Sequence, residues 1–138
     1  MIDTARGSYA ALLLRVSLGV LFLMHGVYLK VFVFGMAGLS EGFASMGLPG
    51  WFAWVVMLYE TIGGIMLILG ISVPLVAALL GLHMLAATVL GHAANGWLFT
   101  NQGGGYEFTL FWAIACFALA LLGPGAHALM PGRSRAAA

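Results

Sequence analysis

Apolar residues dominate four stretches of the chain, at about residues 9–29, 51–70, 73–94 and 107–122. A helix needs about 20 mainly apolar residues to cross roughly 30 Å of hydrocarbon, so each stretch predicts a membrane span. Arg15 interrupts the first and Glu60 the second, and Gly123-Pro124-Gly125 stops or kinks the fourth. The first stretch follows a basic residue, as a signal peptide would. Its length and the lack of a small-x-small site at its end predict a retained helix instead. Residues 31–39 stay apolar beyond that end, which predicts either a longer helix or a piece lying in the interface.

The connection at Ile71-Ser72 is so short that the second and third spans must be antiparallel neighbours. The predicted fold is all-α, one membrane domain over residues 1–138 arranged as an antiparallel four-helix bundle. Basic residues near span ends mark the cytoplasmic side. Arg6, Arg15, Arg133 and Arg135 share one side against Lys30 alone, so both termini are expected in the cytoplasm. Two longer loops, about residues 31–50 and 95–106, then face outward with an aromatic belt of Tyr28, Trp51, Trp54, Trp97 and Tyr106. Ala77 and Gly81, Ala87 and Gly91, and Cys116 and Ala120 are each four apart. That spacing lets helix backbones approach, although Ala and Gly are also simply common here.

Composition removes the soluble alternatives. Of 138 residues 63% are hydrophobic and 7% charged, against about 25% charged in an ordinary soluble domain. A soluble enzyme and a disordered tail are excluded, and a net charge of +1 offers nucleic acid no basic face. The single cysteine, Cys116, excludes an internal disulfide and, set in an apolar helix, predicts an inert thiol. The lipid bilayer is the first partner.

The informative residues are those that lipid rejects, since a charge near mid-bilayer costs about 2.5–3.5 kcal/mol on insertion scales. Glu60 lies near the middle of its span, with Gly63 and Gly64 on its face marking a close helix contact. Arg15 differs from it in expected depth by roughly 6 Å, and His83 is level with it. Arg15, Glu60 and His83 are therefore expected to share one core cluster, either as a packing device or as a ligand or proton site. A second cluster gathers at the outer level: His25, Lys30, His92, Asn95 and Glu107. Against it stand blander roles, a first-turn acid for Glu107 and an interfacial snorkel for Lys30. His83 and His92 are nine apart, about 180° round a straight helix, and are expected not to share a site. Haem between His25 and His92 and a metal on His25, His92 and Glu107 are geometrically open, but nothing in the spacing is specific to either, so neither is expected. No P-loop, dinucleotide glycine pattern or paired-cysteine motif is present.

Taken in order, His25-Gly26 with Lys30, Gly47-Leu48-Pro49, Glu60-x-x-Gly63-Gly64 leading to Leu69-Gly70, Asn95-Gly96 and Gly104-Gly105-Tyr106-Glu107 resemble the DoxX family over about residues 14–125. Lys30 departs from that pattern by following His25 by five residues instead of four. Ser72-Val73-Pro74 also lacks the expected threonine and basic residue. The resemblance implies a small four-helix protein of the bacterial inner membrane, an oxidoreductase component whose relatives include the membrane subunit of a thiosulfate:quinone oxidoreductase. It supplies no agreed catalytic residues.

The reading that follows is a membrane subunit of a quinone-linked redox complex, with no electron carrier of its own and a peripheral or membrane redox partner. Glu60, His25 and Glu107 are the candidate catalytic residues. Arg15, Lys30, His83, His92, Asn95 and Tyr106 are the candidate ligand-binding ones. A non-catalytic scaffold or assembly factor, and a small-solute channel along His25, Glu60 and Arg15, stay open as alternatives, and so does a homo-oligomer.

Overall fold

A computed structural model describes residues 3–130. Every regular element in it is helical. Helix α1, Thr4–Leu23, begins at Asp3, whose carboxylate accepts from the backbone N–H of Ala5 at 3.0 Å and pairs with Arg6 at 3.4 Å. Asp3 is thus a helix N-cap, which satisfies otherwise unpaired donors of the first turn. The helix continues without a break as a π segment, Met24–Phe34. Together they make a 31-residue apolar rod that ends at Gly35 with φ 73°. The longer helix foreseen for residues 31–39 is present as far as Phe34. Beyond Gly35 a separate short helix follows, α2, Met36–Ser45.

Helix α3 is Phe52–Leu69. Its end is set by Gly70, left-handed at φ 74°, with the Ile71 N–H reaching back to the Met66 carbonyl at 2.9 Å. Helix α4, Val73–Ala87, starts at once with Pro74 in its first turn, where the missing N–H costs nothing. A π turn, Thr88–His92, and a 3-10 turn, Ala93–Asn95, extend it. Helix α5 is Glu107–Leu122, stopped at Gly123.

The packing partners are α1 with α3, α3 with α4, α4 with α5, and α5 with α1. All four feed one apolar core that includes Phe22, Leu67, Leu80, Ala113, Cys116 and Leu119. Glycines set the α1–α3 distance: a Cβ on Gly19 would come within 2.8 Å of the Gly64 carbonyl oxygen, and one on Gly64 equally close to that of Gly19. The α4–α5 contact uses Gly81, where a Cβ would meet the Phe117 ring at 2.9 Å, whereas Gly91 faces open space. After α5 the chain turns back beneath the helices. Ala126 N–H bonds the Ser8 carbonyl at 3.0 Å, and Leu129 N–H bonds that of Leu69 at 3.0 Å. This strap ties together the start of α1, the α3–α4 turn and the end of α5.

The surface inverts the soluble pattern. Leu121, Leu13, Phe111 and Val89 are 90, 71, 68 and 66% exposed, while Arg15 and Glu60 are buried. Three helices are long and apolar enough to cross a membrane, Thr4–Phe34, Phe52–Leu69 and Val73–Asn95, and Glu107–Leu122 is a shorter apolar helix. Continuous exposed apolar surface on this scale belongs against lipid. The chain is a multi-pass membrane protein. Arg133 and Arg135, on which the expected orientation partly rests, lie outside the described residues.

Candidate functional site

Glu60 projects from the middle of α3 and is 6% exposed. One carboxylate oxygen accepts from His83 Nε2 at 2.8 Å, and the other pairs with the Lys30 ammonium. Lys30 also donates to the His25 carbonyl at 3.2 Å. A buried carboxylate is costly unless paired and hydrogen-bonded, and here both oxygens are occupied by cationic or polar donors. Gly26 makes the junction possible, because a Cβ there would sit 2.9 Å from Thr61 Oγ1 and 3.1 Å from Glu60 Cβ. The Tyr59 ring lies 5.3 Å from the His83 ring.

This cluster differs from the expected one in its cation. Lys30, assigned to the outer cluster, turns inward to Glu60, and Arg15 does not reach it. Arg15 Nη2 donates to the Ala126 carbonyl at 3.2 Å, and its Nη1 lies where a Cβ on Gly70 would be. Arg15 is therefore level with the end of α3, ten residues and about 15 Å along the helix from Glu60. The expected 6 Å assumed that the first span starts near residue 9. It starts at Thr4 and runs to Phe34, so its residues are shifted relative to α3. The Gly19–Gly64 contact and Phe22 lie between the two groups.

Lys30 reaches Glu60 because of the winding of its backbone. Five residues on an α-helix turn about 140° beyond a full circle, which would point Lys30 away from His25. In a π segment residues i and i+5 are hydrogen-bonded neighbours, which brings Lys30 back toward the His25 carbonyl. The π turn Thr88–His92 has the same effect on α4. Each residue there advances less than in an α-helix, so His83 and His92 are not opposed. Both line one cavity of about 350 Å³, which corrects the expectation that they could not share a site. Lys30 and Glu60 line it with them, and Leu39 and Phe43 of α2, Phe52 and Val56 of α3 supply apolar walls.

The remaining outer residues serve the loop of residues 96–106. Glu107 Oε1 accepts from the Phe99 N–H at 2.9 Å. Asn95 donates to the Gly103 and Gly104 carbonyls at 3.0 Å each, and His92 Nδ1 donates to that of Gly104 at 2.8 Å. Tyr106 packs edge-on to Trp97 at 5.3 Å, and its N–H bonds the Gly96 carbonyl at 3.0 Å. Asn95, Tyr106 and Glu107 thus fold the loop onto itself, and only His92 faces both loop and cavity. The His25 ring is turned the other way, with Nδ1 donating to the Leu21 carbonyl at 2.9 Å and the Trp112 ring 4.7 Å away. Among the described residues no group of three His, Cys, Asp or Glu is placed to hold a metal ion.

Three elements of this arrangement carried little sequence signal: the two π segments, the strap after α5, and the buried Thr88–Thr109 hydrogen bond at 2.9 Å. The five-residue His25–Lys30 spacing was the one hint of the first.

Comparison with known proteins bears on the family. The family model described as DoxX matches residues 10–93. The chain is 33% identical over 120 residues to the protein named "Putative oxidoreductase CatD" of Bacillus subtilis (strain 168), covering 87% of this chain and 84% of that one. No solved structure matches it.

Proposed function

Because the chain belongs to the DoxX family, we propose that it is the membrane subunit of a quinone-linked redox complex. In this reading it crosses a bacterial cytoplasmic membrane four times as an antiparallel bundle, with α5 as the fourth span and both termini inside. The carrying observation is the Lys30–Glu60–His83 cluster at the polar end of an otherwise apolar cavity. Small-molecule sites have this form, apolar walls with a few placed polar groups. The name of the Bacillus relative supports a redox role.

The donor set fits a quinone headgroup. An ammonium has three N–H donors; Lys30 spends one on His25 and one on Glu60, which leaves a third for a ligand carbonyl oxygen. His83 has a second ring nitrogen beyond the one held by Glu60. A quinone held there would be reduced to the quinol by two electrons from a redox partner and two protons. Lys30 and His83 are the groups beside it able to hand over protons, with Glu60 keeping both oriented. The chain contributes binding, orientation and protons, and the partner supplies the electrons.

The test is purification in mild detergent followed by absorption spectroscopy and mass analysis of bound small molecules. Wild-type protein should carry a quinone, and the Glu60→Leu/Lys30→Met double variant, which leaves no buried charge unpaired, should carry none. Absence of quinone from wild-type protein prepared from quinone-replete membranes overturns the reading. The ordered 96–106 loop favours a second reading, a scaffold that docks a peripheral enzyme. It would be preferred if that double variant kept full activity of the complex while loop variants lost the partner.

A further inference from the structure

The cavity beneath α2 has a polar floor and a side that meets lipid. Leu39 and Phe43 of α2 line it, and so do Leu90 and Gly91 of the π turn that extends α4. Leu90 is 66% exposed, and a Cβ on Gly91 would find nothing within 4 Å. This part of the wall therefore adjoins the membrane-facing surface, and no side chain closes it at residue 91. Helix α2 has no fully buried residue and packs against α3 and the π segment Met24–Phe34. It is flanked by Gly35 and Gly47, both at positive φ, 73° and 78°. It covers the cavity without being locked into the core.

Size gives the second half of the argument. About 350 Å³ is at the small end of pockets for drug-sized ligands, about 300–1,000 Å³. It admits a ring headgroup and a few further carbons, so a long chain attached to that ring must lie elsewhere.

We infer that this cavity is loaded from the bilayer through a lateral opening between α2 and the outer end of α4. The headgroup of an isoprenoid quinone enters first and reaches Lys30, while its tail stays in lipid past Leu90 and Gly91. This inference rests on the quinone reading above and adds the route and the placing of the tail. It also assigns a role to Gly91, a glycine that helix packing does not use.

The test uses the full chain in lipid nanodiscs and two probes, an eight-isoprene naphthoquinone and its tail-less parent. Gly91→Ala should bind both as wild type does, because its Cβ falls in open space. Gly91→Leu places a branched side chain in the opening. It should weaken the tailed probe by about tenfold or more and the tail-less one by less than about threefold, about 1.4 against 0.7 kcal/mol. Unchanged binding of the tailed probe to Gly91→Leu overturns the lateral route. Equal loss of both probes also overturns it, because residue 91 would then border the headgroup and not the exit. Both of these results leave quinone binding standing. Failure of wild-type protein to bind either probe overturns the quinone reading and this inference with it. Should Gly91→Leu fail to fold, Leu90→Trp, on the same rim and facing lipid, is read in the same way.

Discussion

The ammonium of Lys30 bonds the main-chain carbonyl of His25, five residues earlier, and from that anchor pairs with Glu60 on the neighbouring helix. One π turn thus sets the position of the cation that neutralises a buried acid. The His25 side chain is not part of this contact. Its ring is occupied by the Leu21 carbonyl and by Trp112.

His25→Ala should therefore keep the Lys30–Glu60 pair and retain bound quinone, with a stability loss from the vacated space beside Trp112. Loss of quinone in folded His25→Ala protein would assign the ring a direct part in binding.

Removing one member of the pair should be far worse than removing both. Breaking a buried ion pair costs about 3–5 kcal/mol, whereas replacing both partners with apolar residues of similar size is often close to neutral. Glu60→Leu and Lys30→Met should each collapse the yield of monodisperse protein, and the double variant should recover much of it. Additive losses in a thermal-melt double-mutant cycle would refute the coupling.

Much of this pair was legible before the structure. Glu60 identified itself as a charge in the centre of an apolar run, and Gly63-Gly64 showed that it faced another helix. Gly70 with Pro74 marked the tight α3–α4 turn, and His83 was found at the level of Glu60. The partner cation was not legible, because both Lys30 and Arg15 were positioned by counting along straight α-helices from assumed ends. A π segment alters the angle between residues and an early helix start alters their depth, and neither changes the hydrophobic pattern. Asp3 was passed over because a single acid near a terminus looks incidental until the helix it caps is known to begin there.

The glycines divide into two kinds that one substitution separates. Gly26→Ala inserts a methyl group 2.9 Å from Thr61 Oγ1 and 3.1 Å from Glu60 Cβ. It should lower the melting temperature and disturb the site, at about 1–3 kcal/mol for an overpacked contact. Gly38→Ala, in α2 with nothing within 4 Å, should be neutral or stabilising by up to about 1 kcal/mol through helix propensity. Equal responses in thermal melts would contradict the close approach of the π segment Met24–Phe34 to α3.

Glu107 and Asn95 should act on the loop alone. Glu107→Ala and Asn95→Ala remove bonds to the Phe99 N–H and to the Gly103 and Gly104 carbonyls. Amide exchange across residues 96–106 should rise by about tenfold for Glu107→Ala and by about a hundredfold for Asn95→Ala, at about 1.5 kcal/mol per bond. Quinone content should hold. If quinone is lost while loop exchange stays slow, Glu107 belongs to the ligand site after all.

Arg15 should govern the opposite end. Its bond to the Ala126 carbonyl holds the strap beneath α1 and α3. Arg15→Met should expose residues 123–130 to protease while leaving bound quinone in place. Protection equal to wild type would show that the Ser8 and Leu69 contacts suffice to hold the strap.

The π winding at Met24–Phe34 and Thr88–His92 bears finally on whether this site can be transplanted. Copying His25, Lys30, Glu60, His83 and His92 onto four regular helices would reproduce every side chain and lose the arrangement. Lys30 would stand about 140° round the helix from His25, out of line with the carbonyl that anchors it, and His92 would face away from His83. The extra residue wound into each helix is itself a component of the site, and any designed copy would have to inherit the irregular backbone before the chemistry.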